Sequence, residues 1–167
     1  MKLYLVRHAT ATEGIGGEVR TDADRPLISA GRKEAQEVAS ALKKLGVKPD
    51  VLLSSPLVRA RQTAEVFAEV FGFNEKVEMT DALAPAGQFG QLCKAIGLHK
   101  RANEVILFGH QPDLTVLAST LLGAGIDLDM PFKKAGACRI DVYDCPPTTP
   151  GTLKWFITPK IASHITG

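Results

Sequence analysis

The sequence predicts an α/β fold: a three-layer α/β/α arrangement with a mostly parallel sheet and an antiparallel edge element. Three observations lead there. Uninterrupted apolar runs at Leu3-Tyr4-Leu5-Val6, Val51-Leu52-Leu53 and Val105-Ile106-Leu107-Phe108 have the length and solid apolar character of strands buried on both faces. Amphipathic segments of helical length alternate with these runs. The alternating segments Arg139–Asp144 and Leu153–Thr158 read as an antiparallel pair added at the end.

The elements follow in order. The first run ends in Arg7-His8 and gives way to a polar connection, Thr10–Asp24, containing Gly14, Gly16 and Gly17. Loops of this length in compact domains are usually functional or disordered, and this one reads as a flap over the site. Over Leu27–Leu45, Ala35, Val38, Ala39, Leu42 and Leu45 fall at helical spacing, with Ser29 as cap and Gly46 as stop. After the second strand, Ser55-Pro56 opens a helix with Ala60, Ala64, Phe67, Ala68 and Phe71 on its apolar face, and Gly72 ends it. Val77–Met79 reads as a short strand and Phe89–Leu98 as a helix with a less regular stripe. Beyond the central strand, Gln111-Pro112 starts a helix packed through Leu114, Leu117, Ala118 and Leu121. Arg139–Asp144 alternates as an edge strand and pairs with Leu153–Thr158 across Pro146-Pro147 and Pro150-Gly151.

A chain of 167 residues with 45% hydrophobic content can bury one substantial core, so residues 1–167 are expected to form a single domain. Its formal charge of +2 is too near neutral for nucleic acid or an anionic membrane to be the main partner. Binding of anions must then be local. The apolar run before Arg7 is too short for a signal peptide and no later stretch approaches a membrane span, so the chain reads as cytoplasmic; a monomer is the default. Cys93, Cys138 and Cys145 are an odd set without a C-x-x-C pair or a histidine at ligand spacing. They support neither a disulfide framework nor a zinc site, and are expected as free, mostly buried thiols. Both G-x-G-x-x-G and the P-loop pattern are absent, which counts against a nucleotide-binding domain.

In an open α/β sheet, ligands bind at the carboxyl ends of the strands. Those ends carry Arg7-His8, then Ser54-Ser55 leading into a helix with Arg59 and Arg61, then Gly109-His110. Arg59 falls at about the fourth position of its helix, where its side chain leans back toward the sheet edge. Each residue alone reads as solvated or structural. Together, two arginines and two histidines at one edge repel one another unless an anion sits among them. Arg61 should face elsewhere, and His99 and His164 lie in polar, unpatterned surroundings typical of a surface.

These residues carry a family resemblance. Leu5-Val6-Arg7-His8-Ala9 resembles the R-H-G signature of the histidine phosphatase superfamily, the phosphoglycerate-mutase-like enzymes, with alanine in place of glycine. The stretch from Ser54 to Ala64, containing Arg59, is similar to the second motif of that family, and Val105–His110 to the third. Arg25-Pro26-Leu27 followed by Gly31, with Gly109–Leu114 and the short chain, further resembles the phosphohistidine phosphatase SixA subgroup.

The resemblance implies a phosphatase that works through a phosphohistidine on His8, with Arg7 and Arg59 clamping the phosphoryl oxygens and His110 completing the pocket. No metal or organic cofactor is expected, because the arginines neutralise the charge. Many relatives carry a glutamate that protonates the leaving group; here Ala82 stands at that place, with Asp81 beside it. Asp81 reads either as a substitute acid or as a cap of the following turn. Lack of a dedicated acid favours a P–N over a P–O bond, and so a phosphoprotein carrying phosphohistidine over a small phosphorylated substrate. Arg25 reads either as a phosphate ligand, which the resemblance favours, or as an anchor of the flap through Asp22 or Asp24. A non-catalytic phosphate-binding scaffold is the rival class, but such relatives should have lost His8 or an arginine.

Overall fold

The computed structural model describes residues 1–17, 19–125 and 128–167, so Glu18 of the expected flap lies outside the described residues. Its strands are β1 (Lys2–Arg7), β2 (Val51–Ser54), β3 (Glu78–Met79), β4 (Glu104–Gly109), β5 (Ala137–Asp141) and β6 (Thr152–Ile157). The helices are α1 (Ser29–Lys44), α2 (Val58–Phe71), α3 (Phe89–Gly97), α4 (Asp113–Leu122) and α5 (Pro159–Thr166), with short 3-10 turns at Asp22–Asp24 and Asp81–Leu83. No helix of the described residues is long and apolar enough to cross a membrane.

The strands form one sheet in the order β3-β2-β4-β1-β5-β6. The first four in that order run parallel, whereas β5 is antiparallel to both β1 and β6. Every residue of β2 and β4 is buried, as their solid apolar sequences require. Alternate side chains feed two cores. Tyr4, Val6, Ile106 and Phe108 point into one core, which packs against α1, α2 and α5. Leu3, Leu5, Val105 and Leu107 point into the other, against α3 and α4. This is the expected three-layer α/β/α arrangement.

Register then fixes the site. Val6, Phe108 and Ser54 lie side by side across the three central strands, and Arg7 lies beside Gly109. His8 and His110 therefore leave the sheet at one level and Ser55 one step before it, each a single step past its strand's last side-by-side partners.

Several expectations are corrected. β5 is not the edge: its half-alternating burial arises because β6 covers it, and β6 is the terminal strand. The α1 cap is Ile28, with no side-chain capping bond, so Ser29 is already helical. The second helix begins two residues later than its Ser-Pro pair suggests and the fourth one residue later than its Gln-Pro pair suggests: Leu57 and Pro112 are the caps, and each proline precedes the first helical residue. Gly72 does end α2, in the left-handed conformation that glycine adopts without strain. Only one of the three thiols, Cys138, is buried; Cys93 and Cys145 are partly exposed, and all three are free. Helix α5 was not expected. Its signals are present in the sequence, since Thr158 caps it by accepting from the Ile161 amide and Pro159 occupies the first turn.

Candidate active site

Arg7 and His8 are delivered by the end of β1. The His8 amide donates to the Gly109 carbonyl at 3.1 Å, and the Arg7 amide to Gly136 at 3.0 Å, so both neighbouring strands hold the turn. The next residue, Ala9, is fully buried and lies outside the positive-φ region. An alanine methyl therefore fits where the family motif has glycine. Thr63 ties this turn to α2: its Oγ1 accepts from the Ala9 amide at 3.0 Å and donates to the Arg59 carbonyl at 2.7 Å. Gln62 does the same for the flap's far end, accepting from the Leu27 amide at 2.7 Å.

His8 is buried, and its ring has a defined tautomer. Nδ1 lies 2.8 Å from the Ala9 carbonyl oxygen, which can only accept, so Nδ1 carries the proton and Nε2 the lone pair. Arg59 Nε donates to that Nε2 at 3.3 Å. Burial, with the positive charges of Arg59, Arg7 and Arg25, pulls the His8 imidazole down to about 4, although the Ala9 bond acts the other way. The ring is neutral, and its Nε2 lone pair faces the Arg59 guanidinium.

His110 stacks obliquely on His8, with ring centroids 5.1 Å apart. Its Nε2 lies 2.8 Å from Ser55 Oγ, while its Nδ1 is buried with no partner among the described residues. Burial, followed by repulsion from His8 once that ring is protonated and from Arg59 and Arg7, lowers His110 to about 3 against the pull of the Asp22 carboxylate. Ser55 does more than the expected helix-start duty, since its Oγ also accepts from the Leu57 amide at 3.3 Å.

Arg59 is the second residue of α2, not about the fourth, because the helix starts late. Its guanidinium is buried and its donors are engaged on two sides. Besides His8, it gives Nη1 to the Asp22 carbonyl at 2.7 Å and Nη2 to Asp22 Oδ2 at 2.9 Å. Arg7 gives Nη1 to the Phe132 carbonyl at 2.7 Å, and its buried Nε has no partner among the described residues.

The flap supplies a contact that sequence reading missed, that of Asp22 with Arg59, beside the Asp22–Arg25 pair it did offer. Asp22 Oδ1 accepts from Arg25 Nη1 at 2.7 Å, so one carboxylate bridges Arg25 and Arg59. Arg25, chiefly through its hydrogen bond, and Arg59, through charge and hydrogen bonding, hold this carboxyl below its usual range. Arg25 also gives Nε to the Thr12 carbonyl at 2.6 Å, the anchoring arrangement among the two considered for it. A carboxylate between two guanidinium groups occupies the kind of position that a phosphoryl group would take.

Asp81 stands apart. It is exposed and has no side-chain hydrogen bond among the described residues. Thr80 is the cap of that turn, its Oγ1 accepting from the Ala82 amide at 3.3 Å. Arg61 lies on the outer face of α2, 3.8 Å from Glu65, and His99 contacts Glu78 at 3.2 Å. His164 is exposed.

Residues 3–89 match the Histidine phosphatase superfamily (branch 1), and the chain belongs to that family. An uncharacterized protein of Picosynechococcus is 34% identical over 138 residues, covering 81% of this chain and 82% of that one. Probable phosphoglycerate mutase GpmB of Escherichia coli is 35% identical over 72 residues, 43% of this chain; the match spans only 33% of the mutase.

Among solved structures, the protein histidine phosphatase SixA complexed with tungstate superposes with a TM-score of 0.84 at 23% identity, covering 96% of this chain and 99% of that one. A putative phosphohistidine phosphatase SixA from Agrobacterium tumefaciens gives 0.74 at 26% identity, with 95% and 97% covered.

Proposed function

We propose that this chain is a phosphatase that removes the phosphoryl group from phosphohistidine on a protein, through a phosphohistidine intermediate on His8. The observation that carries the reading is the state of His8. A buried imidazole with Nδ1 committed to a carbonyl and an unprotonated Nε2 whose lone pair meets only a long hydrogen bond from the Arg59 guanidinium is a nucleophile held in its reactive form.

In the first step His8 Nε2 attacks phosphorus, the P–N bond of the substrate breaks, and the phosphoryl group passes to His8. The substrate ring, protonated at its other nitrogen, leaves as neutral imidazole and needs no proton from the enzyme. Water then attacks phosphorus, the P–Nε2 bond breaks with its electron pair returning to Nε2, and inorganic phosphate leaves with the protons of the water, restoring the neutral ring. Arg59 and Arg7 bear the charge on the equatorial oxygens, and the unpaired Arg7 Nε is a donor available for this. His110 lies beside the same oxygens, and their negative charge draws a proton to it.

The substrate class rests on what the site lacks around the leaving group. Ala82, which lines the same cavity as His110, carries no acidic group, Asp81 is exposed with no side-chain hydrogen bond to the site among the described residues, and Asp113, a carboxylate in that lining, accepts from the Ala86 amide at 3.2 Å. The likeness to the SixA structures supports the same class. Purified protein given a phosphohistidine peptide, a sugar phosphate and an aryl phosphate should turn over the peptide with the highest kcat/KM. Faster turnover of the sugar phosphate would replace this reading with a small-molecule phosphatase. Phosphate binding without turnover of any of the three would leave a scaffold.

A further inference from the structure

Ser55 is fully buried where β2 gives way to α2. Its amide donates to the Phe108 carbonyl at 3.0 Å, which fixes it against β4 just before His110. Its hydroxyl has two contacts among the described residues: Oγ accepts from the Leu57 amide at 3.3 Å and lies 2.8 Å from His110 Nε2. Burial and the neighbouring cations keep the His110 ring neutral, so it carries a single hydrogen. The contact with Nε2 could run in either direction, and counting the buried groups separates the two. If Oγ accepted from Nε2, the hydroxyl hydrogen and the Nδ1 lone pair would both be left without partners. If Oγ donates to Nε2, only the Nδ1 hydrogen is left. Each unpaired buried polar group costs stability, so donation wins.

We propose that Ser55 is a positioning residue of the phosphatase: its hydroxyl donates to His110 Nε2 and so holds the hydrogen of the neutral ring on Nδ1, the nitrogen left to meet a phosphoryl oxygen. The inference rests on the reading that puts His110 beside the phosphoryl oxygens, and it says which atom of His110 serves them. The two histidine rings, with centroids 5.1 Å apart, then carry hydrogen on the same atom and present opposite ones. His8 offers the lone pair of Nε2 to phosphorus, and His110 offers Nδ1–H to an oxygen. In the other tautomer a lone pair would face that oxygen and repel it. When the phosphoryl charge draws a second proton to the ring, the hydroxyl turns to accept from Nε2, and Nδ1 keeps its hydrogen. The unpartnered, buried Nδ1 is thus a donor held ready for the substrate.

The test is heteronuclear NMR of the ring nitrogens in the free protein at neutral pH, with the His110 signals identified by their loss in His110→Ala. His110 should show a protonated Nδ1 and an unprotonated Nε2, and this spectrum decides the point whether or not any variant folds. In Ser55→Ala the Nε2–H tautomer, the commoner one for a neutral imidazole side chain in water, should take over. There kcat for a phosphohistidine peptide should fall on the order of tenfold with KM little changed, less than for outright removal of a preorganised donor, because the donor is misdirected and still present. Ser54→Ala is the control: it deletes a neighbouring buried hydroxyl, which donates to the Ser55 carbonyl at 2.9 Å, and should keep both the tautomer and kcat. A protonated Nε2 in the wild-type ring, or an unchanged tautomer in Ser55→Ala, would overturn the proposal. Equal losses of kcat in the two serine variants would overturn it as well, since they would mark a packing effect. The expected tautomers with no turnover of the peptide by the wild-type protein would overturn the phosphohistidine reading and leave the hold of Ser55 on His110 standing.

Discussion

Replacing Asp22 with asparagine should make the protein bind phosphate and tungstate more tightly. The carboxylate of Asp22 holds the Nη2 side of the Arg59 guanidinium at 2.9 Å and that of Arg25 at 2.7 Å. An oxyanion that uses the Arg59 fork must displace it. A hydrogen bond between charged groups contributes about 1.5–3 kcal/mol, but the Asp22 side chain is 59% exposed and solvent screens much of this. About 1 kcal/mol remains, equivalent to roughly a fivefold lower Kd. The Asp22 carbonyl, which accepts Arg59 Nη1, is kept in the variant, so the flap should stay docked. Titration calorimetry with tungstate at fixed ionic strength reads the change. Asp24→Asn is the control, because Asp24 sits on the same turn yet, among the described residues, bonds only to the Thr21 amide and hydroxyl. Tighter binding in Asp22→Asn and little change in Asp24→Asn is the expected pair of results. Equal tightening in both would mean that net charge alone is at work, and weaker binding in Asp22→Asn would mean that the carboxylate serves the anion site instead of competing with it.

Three further outcomes follow from the geometry. Titration by NMR should place the His8 midpoint near 4 in the free protein, and a midpoint near 6.5 would show that the ring is neither desolvated nor surrounded by cations. Because His8 and His110 are held below their unfolded values, the unfolded chain binds more protons below about 6.5; stability at neutral pH should therefore fall as pH drops from about 6.5 toward 4, and denaturant midpoints that stay flat across this window would contradict it. Gly31→Ala should lower Tm by several degrees and impair turnover, since a Cβ there would lie 1.9 Å from the Thr10 carbonyl oxygen and push α1 away from the start of the flap; unchanged melting and activity would count against that contact.

How much of this was legible in the sequence depends on the range over which each signal acts. Strands β1, β2 and β4 were readable because burial on both faces demands an unbroken apolar run, and the run itself marks the strand. Their ends were readable for the same reason, which is why His8 and His110 could be placed at one sheet edge before any coordinates. Helix starts were displaced because Pro56 and Pro112 sit in the approach to the helix and not in its first turn. The position of β5 was misread because half-alternation marks a face partly covered, and cannot say whether another strand lies alongside. Asp22 was legible only as a local partner for Arg25; its pairing with Arg59, 37 residues away, exists only once the flap is folded. Ser55 was visible only as a helix-start residue, since its contact with His110 crosses 55 residues.

The account stands or falls on a covalent bond to one nitrogen. Incubation with a phosphohistidine peptide labelled in its phosphoryl group, quenched in alkali within a turnover and digested, should yield label on the peptide containing His8, lost on acid treatment and absent from His8→Ala. Turnover with no labelled protein, or with label on any other residue, would contradict it.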